Sequence, residues 1–148
     1  MIKLKSEQDT KLFAKRLVDV LPKGSLLILR GPLGAGKTTL VRYIAAAMGF
    51  SGRVSSPTYT LMHTYPTPLG DLLHADVYRL PKASEIYSLG FEDARENAYL
   101  TVVEWGTIND FPGAIEIILE PDADETRVVS ITPHFPHSRD FIEKIINQ

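Results

Sequence analysis

Gly31-Pro32-Leu33-Gly34-Ala35-Gly36-Lys37-Thr38 is a complete G-x-x-x-x-G-K-[ST] phosphate loop, and its flanks decide how it is read. Before it, Ser25-Leu26-Leu27-Ile28-Leu29-Arg30 is a short apolar run of the kind a buried parallel strand needs. After it, Leu40, Val41, Ile44, Ala45 and Met48 recur at helical spacing, and Gly49 marks a stop. A glycine-rich turn between a predicted strand and a predicted helix is the context in which this pattern holds phosphate. Gly31, Gly34 and Gly36 permit a tight turn whose backbone N–H groups point inward as an anion nest. The following helix adds the partial positive charge of its N-terminus. Lys37 is expected to reach the β- and γ-phosphates, and the Thr38 hydroxyl to ligate Mg²⁺. The chain is therefore expected to bind a nucleoside triphosphate.

At 148 residues the chain reads as one domain over 1–148, large enough for a real core but short for a phosphate-loop protein. Little chain is left for the lid and acceptor pocket of a metabolite kinase. Hydrophobic residues at 44% and charged residues at 23% are ordinary globular values. A net charge of −2 gives no general attraction for nucleic acid, so any RNA is expected to be carried by another subunit. The lack of cysteine excludes disulfides and thiolate metal sites. No signal peptide opens the chain and no apolar run approaches membrane-spanning length, so no membrane role and a cytoplasmic location are expected.

Outward from the loop, Ile2 and Leu4 alternate with lysines as in a guarded edge strand. Ser6 and Asp9 resemble a capping box ahead of a helix to about Leu21, with Leu12, Phe13, Leu17, Val20 and Leu21 on one face. Between Arg53 and Thr60, the Ser56-Pro57-Thr58 stretch has two readings: a loop that senses the γ-phosphate, or a connector whose hydroxyls satisfy local backbone. Runs from Leu61 to Tyr65 and from Leu72 to Tyr78 flank Pro66-Thr67-Pro68-Leu69-Gly70, which suggests an antiparallel hairpin at one sheet edge. On its second arm His74, Asp76 and Tyr78 would share a face and could orient a water or Mg²⁺. One histidine and one carboxylate do not by themselves make a metal site, and a lone histidine reads first as structural.

Short helices are expected at Glu85–Leu89, closed by Gly90, and from Phe91 to about Asn97. Next, Leu100-Thr101-Val102-Val103-Glu104-Trp105 is an apolar run ending in a carboxylate. A Walker B acid belongs there, beside the phosphate-loop strand and facing Mg²⁺, although the acid is more often Asp. Trp105 reads as core or interface. Two further strands, Ile115–Leu119 and Arg127–Ile131, are separated by the acidic stretch Glu120–Glu125, and Arg127 reads most simply as a surface charge. A final helix places Phe141, Ile142, Ile145 and Ile146 on one apolar face.

Three classes of nucleotide protein compete. A small GTPase needs [NT]-K-x-D, and no K-x-D occurs; Asp110-Phe111-Pro112-Gly113 fits D-x-x-G but sits in a turn-rich stretch. A small-metabolite or nucleotide kinase needs arginines over the transferring group, and residues 81–97 hold only Lys82 and Arg95. An ATPase switch that changes a partner's state suits a compact chain. The order G-P-L-G-A-G-K-T-T (Gly31–Thr39), S-P-T-Y-T (Ser56–Thr60), H-A-D-V-Y-R-L (His74–Leu80) and V-E-W (Val103–Trp105) resembles the TsaE (YjeE) family, across about residues 6 to 131. That family is the ATPase component of bacterial threonylcarbamoyladenosine synthesis on tRNA. Pro32 departs from it, standing where an acidic residue is common, and leaves the nest glycines intact.

The resemblance implies a P-loop NTPase α/β fold, with a mostly parallel central sheet, antiparallel edge strands and helices on both faces. It implies binding of ATP or ADP with Mg²⁺, weak ATPase activity alone, and work with the TsaB–TsaD heterodimer on ANN-decoding tRNAs, the tRNA being reached through that complex. A monomer is expected when free. On the matching positions, Gly31, Leu33, Gly34, Ala35, Gly36, Lys37, Thr38 and Thr39 would hold ATP, and Thr10 and Arg127 also fall where the family touches nucleotide. Thr38 and Glu104 would ligate Mg²⁺, Lys37 would neutralise phosphate charge, and Asp76 would be an essential acid near the γ-phosphate. Ser56, Pro57 and Thr58 would form the switch-like loop. Either Asp76 or Glu104 would orient the attacking water, and Arg79 is the one internal arginine-finger candidate.

Overall fold

Leu27 and Leu29 of strand β2 (Ser25–Arg30) are buried on one side of the sheet, Leu26 and Ile28 on the other. That alternation requires cover on both faces. The computed structural model describes residues 2–57, 60–123, 126–132 and 138–146. Its strands are β1 (Ile2–Leu4), β2, β3 (Met62–Thr67), β4 (Gly70–Asp76), β5 (Ala98–Glu104), β6 (Ile115–Pro121) and β7 (Arg127–Thr132). Among the described residues they form one sheet in the order β1-β7-β6-β2-β5-β4-β3. β6, β2, β5 and β4 run parallel; β3 closes one edge antiparallel to β4, and β7 runs antiparallel to β6 and β1 at the other. This is the α/β architecture expected, with β2 central.

Helices α1 (Glu7–Val20), α2 (Lys37–Ala47) and α4 (Ser138–Ile146) cover the Leu27/Leu29 face. A 3₁₀ helix (Ala83–Leu89) and α3 (Phe91–Glu96) cover the other, where Phe91 packs edge-on against Phe111 and Tyr87. No helix among the described residues is long and apolar enough to cross a membrane.

Local chemistry sets several boundaries. Ser6 caps α1 with its side-chain oxygen, which accepts the Asp9 N–H at 3.2 Å, while Asp9 takes the Lys5 N–H at 2.9 Å. Ser6→Ala is expected to destabilise the fold by about 1 kcal/mol, read as a lower urea midpoint with an unchanged slope.

The inward stripe of α1 is Phe13, Ala14, Leu17 and Val18, continued by Leu21; Leu12 is 46% exposed and Val20 only partly buried. Both leucine and valine were expected inside, but they stand off the stripe that 100° per residue produces. The hairpin turn is shorter than expected. Pro66 and Thr67 remain in β3, opposite Asp71 and Gly70, leaving only Pro68-Leu69 as the loop. Pro66 is tolerated because β3 is an edge strand, where its missing N–H breaks no ladder bond. In α4, Ile142 and Ile145 are buried but Ile146 is exposed, so the face is narrower than expected; the Phe141 side chain lies outside the described residues.

Candidate active site

The parallel strands β2, β5 and β4 all end at the same edge of the sheet, where open α/β folds bind ligands. The phosphate loop leaves β2 there and turns into α2. Gly36 stands just before the helix with φ +98°, and no side chain caps the first turn of α2. The helix thus presents its first N–H groups to the loop's concave side. Two of the loop glycines combine a positive φ with a close neighbour. A Cβ on Gly31 (φ +150°) would lie 2.3 Å from the Leu119 carbonyl oxygen, and one on Gly36 would lie 2.5 Å from Arg127 Nε.

Lys37 is almost fully buried, and its Nζ donates to the carbonyls of Gly31 (2.5 Å) and Pro32 (3.0 Å). It also sits 4.0 Å above the centre of the Trp105 ring. Burial lowers its pKa, and the nearby carboxylates of Glu104 and Asp76 work against that shift.

The acids arrive by register. Glu104 ends β5 beside Leu29 of β2 and opposite Asp76 of β4. Leu100 and Val102, at alternate positions before Glu104, are buried on the side covered by α2, as is Leu72, at an alternate position before His74 and Asp76. Glu104 is 3% exposed, and the Thr38 hydroxyl lies 3.3 Å from each of its carboxylate oxygens. His74 Nε2 lies 2.5 Å from Glu104 Oε2. The phosphate-loop threonine and the strand-end acid, each expected as a Mg²⁺ ligand, therefore lie side by side. Asp76 is buried too, and its Oδ1 accepts the Tyr78 N–H at 2.9 Å.

That last bond is an Asx-type turn, and it ends β4. Tyr78 consequently does not share the His74–Asp76 face as the alternation predicted; it is 55% exposed and its ring lies 4.7 Å from that of Trp105.

A cleft of about 260 Å³ is lined by Lys37, Thr38, Ser56, Asp76, Glu104 and Arg127, with Leu33, Gly34, Gly36, Thr39 and Trp105 around it. Ala35 is fully buried beneath the loop. Arg127 is not the surface charge it first suggests: its guanidinium crosses Gly36 and donates to the Gly34 carbonyl at 3.4 Å. A second cleft of about 360 Å³ adjoins it, where Thr10, Ser6 and Glu7 face Gly36, Thr39 and Arg127. Thr10 thereby faces the end of the phosphate loop across this cleft from α1. Arg79 is exposed in the turn after β4 and does not line the cleft.

The Ser/Thr/Pro stretch is tied at its start. The Tyr65 hydroxyl, reached by His63 Nδ1 at 3.0 Å, accepts the Ser55 N–H at 3.2 Å. Ser56 then lines the cleft and Pro57 is buried, while Thr58 lies outside the described residues. Two features were not read from sequence: the stacking of Lys37 on Trp105, and the bond of His74 to Glu104. The position of Trp105 directly after the acid was the available signal. Its left-handed backbone (φ +68°), which sets the ring's direction, has no sequence signature.

Among the described residues no group of three or more His, Cys, Asp or Glu forms a metal cage. Mg²⁺ does not need one, since it commonly takes one or two protein oxygens and completes its shell with phosphate and water. The Thr38 hydroxyl and Glu104 carboxylate, both hard oxygen donors already side by side, fit that requirement.

Comparison with known proteins bears on the fold and the family. The family model described as "Threonylcarbamoyl adenosine biosynthesis protein TsaE" matches residues 4–129. A Rickettsia felis protein named "tRNA threonylcarbamoyladenosine biosynthesis protein TsaE" is 38% identical over 97% of this chain and 86% of its own. A Bacillus subtilis protein of the same name is 32% identical over 84% of this chain and 80% of its own. The crystal structure of Bacillus subtilis YdiB superposes with a TM-score of 0.79, at 24% identity, over 99% of this chain and 93% of that one, which shows the shared fold. With its P-loop NTPase architecture and a family match across most of its length, the chain belongs to the TsaE family.

Proposed function

We propose that this chain binds Mg·ATP at residues 31–39 and hydrolyses it as the ATPase component of tRNA threonylcarbamoyladenosine synthesis. In this reading it acts on a TsaB–TsaD heterodimer in the cytoplasm, reaches tRNA only through that complex, and is a monomer when free. The observation that carries the proposal is the meeting of Thr38 with Glu104, 66 residues apart in sequence, beside Lys37 at the mouth of the loop. A phosphate-binding turn with a structural purpose alone has no need of a buried carboxylate there.

The loop amides and the α2 N-terminus hold the phosphates, with Thr10 and Arg127 flanking the nucleotide beyond them. Lys37 leaves the Gly31 and Pro32 carbonyls for the β- and γ-phosphate oxygens. Thr38 and Glu104 would hold Mg²⁺, which when bound neutralises charge on the β- and γ-oxygens. Asp76 is the acid assigned to the attacking water, because Glu104 is assigned to Mg²⁺ and Asp76 lines the same cleft. Water attacks the γ-phosphorus in line, the bond to the β–γ bridging oxygen breaks, and ADP and phosphate leave. Ser56, Pro57 and Thr58 respond to the γ-phosphate as the switch. Arg127 is the arginine lining the cleft among the described residues, and it is bonded to the loop, so turnover alone is expected to be slow.

An ATPase assay with and without purified TsaB and TsaD tests this. Stimulation by the pair supports the switch; phosphate appearing on a small acceptor would replace it with the kinase reading. Glu104→Ala is expected to lower Mg²⁺-dependent hydrolysis by about 10²-fold, and unchanged hydrolysis would remove the Walker B assignment. Phosphate entering the loop draws Lys37 from Trp105. The fluorescence of this sole tryptophan should therefore change saturably with Mg·ATP. A signal that stays flat while calorimetry records binding would show that Lys37 never leaves the ring.

A further inference from the structure

We infer that His74 is a positioning residue that holds Glu104 in the orientation in which it receives Mg²⁺; this rests on the reading of Glu104 given above. His74 lies on β4 opposite Val102, one alternate position before the Asp76–Glu104 pair, and its ring reaches along the strand to Glu104. The His74 side chain is wholly buried and that of Glu104 is 4% exposed. Their contact, Nε2 to Oε2 at 2.5 Å, is the one hydrogen bond of the His74 side chain among the described residues. Two acceptors cannot sit that close without a proton between them, and with Glu104 read as the ionised ligand of Mg²⁺ that proton belongs to the ring, which donates from Nε2. Nδ1, buried and without a partner among the described residues, is then left as a lone pair, a lesser burden than a bare N–H.

A ring serving only to fill the core has no use for two nitrogens at such depth. Its one polar bond goes instead to the acid that meets Thr38. By committing Oε2, His74 limits rotation of the carboxylate and keeps it beside the Thr38 hydroxyl, 3.3 Å away. Without that donor, Glu104 would be drawn toward the Lys37 ammonium, a positive charge lining the same cleft that interacts with it. Groups that orient a metal's ligands in this way typically change metal affinity by about 10- to 100-fold when removed.

The test is calorimetric titration of ADP, first in EDTA and then at rising MgCl₂, for the wild type and for His74→Gln, His74→Asn and His74→Leu. A glutamine amide can reach the place of Nε2; an asparagine amide stops near Nδ1, and leucine offers no donor. In EDTA all variants should bind ADP within about twofold of wild type, because the loop is untouched. The Mg²⁺ midpoint should rise about 10- to 100-fold for the Asn and Leu variants and stay near wild type for Gln. Wild-type midpoints in both Asn and Leu variants would overturn the inference, as would equal loss of metal-free ADP binding in all three. If Leu does not fold, the Asn and Gln pair decides alone. A metal-free check is the urea stability of His74→Leu, Glu104→Gln and the double variant: non-additive effects are expected, and strict additivity would overturn the coupling. Wild-type ADP binding that ignores Mg²⁺ altogether would instead remove the proposed function, and this inference with it.

Discussion

Lys37→Ala is expected to reduce ATP turnover at saturating Mg·ATP by about 10²- to 10³-fold while leaving the helical and strand content unchanged. The side chain is held by three contacts: the Gly31 and Pro32 carbonyls and the Trp105 ring. These tie the start of the loop to its end and to the end of β5. Alanine removes all of them, and with them the ammonium that would face the β- and γ-phosphates. It also leaves Glu104 and Asp76, both buried, without the cation that opposes their repulsion. Nucleotide affinity should fall along with turnover, and the thermal midpoint should drop by a few degrees. Lys37→Arg is not a rescue, because a planar fork cannot replace a compact ammonium in so closed a place. Single-turnover hydrolysis, calorimetry and circular dichroism read the three effects separately. Turnover within threefold of wild type would show that the loop does not handle the transferring phosphate.

Gly31→Ala should be the most damaging small substitution for the fold itself. The residue sits at φ +150°, where an L side chain is strained, and its new Cβ would stand 2.3 Å from the Leu119 carbonyl oxygen. That neighbour is backbone of β6, itself paired to both β2 and β7, so it cannot swing aside as a side chain would. Either the loop leaves β2 or the two strands part. About 3–5 kcal/mol of stability should be lost, which for a chain of this size lowers the melting temperature by about 10 °C. Gly36→Ala is a useful contrast. There the clash is with the Arg127 side chain, which can move, so stability should fall less while the arginine loses its place over the loop. A Gly31→Ala protein that melted within two or three degrees of wild type would mean that Leu119 yields, and that β6 is not the rigid wall described.

These two substitutions separate what the site does from what holds it. Lys37 is dispensable for the sheet but not for the chemistry; Gly31 matters first because a strand passes directly behind it. His74 lies between them in kind, since its effect is exerted through Glu104.

Much of this was legible in the chain alone. The phosphate loop, the strand before it and the helix after it follow from local spacing, because glycine, lysine and threonine at fixed offsets serve a local backbone shape. The two-faced burial of β2 follows from a run with no polar position, and the hairpin edge from turn residues between apolar arms. Family membership followed from the order of four short stretches.

What only the tertiary structure decided is who meets whom. Glu104 reaches Thr38 because β5 pairs beside β2 in a register that ends both strands together, and sequence carries no term for strand order or register across so long a crossover. Arg127 looked like a surface charge because its own neighbourhood is a polar turn; β7 brings it across the sheet to Gly36. Tyr78 left its expected face because Asp76 bonded the Tyr78 amide and ended the strand. His74 read as structural because a lone histidine carries no pattern, and its partner lies 30 residues away on the next strand. Local periodicity determines which side of an element is buried, since burial repeats with the element's own geometry. The convergence of side chains at the site depends on packing between elements, and that exists only once the sheet is assembled.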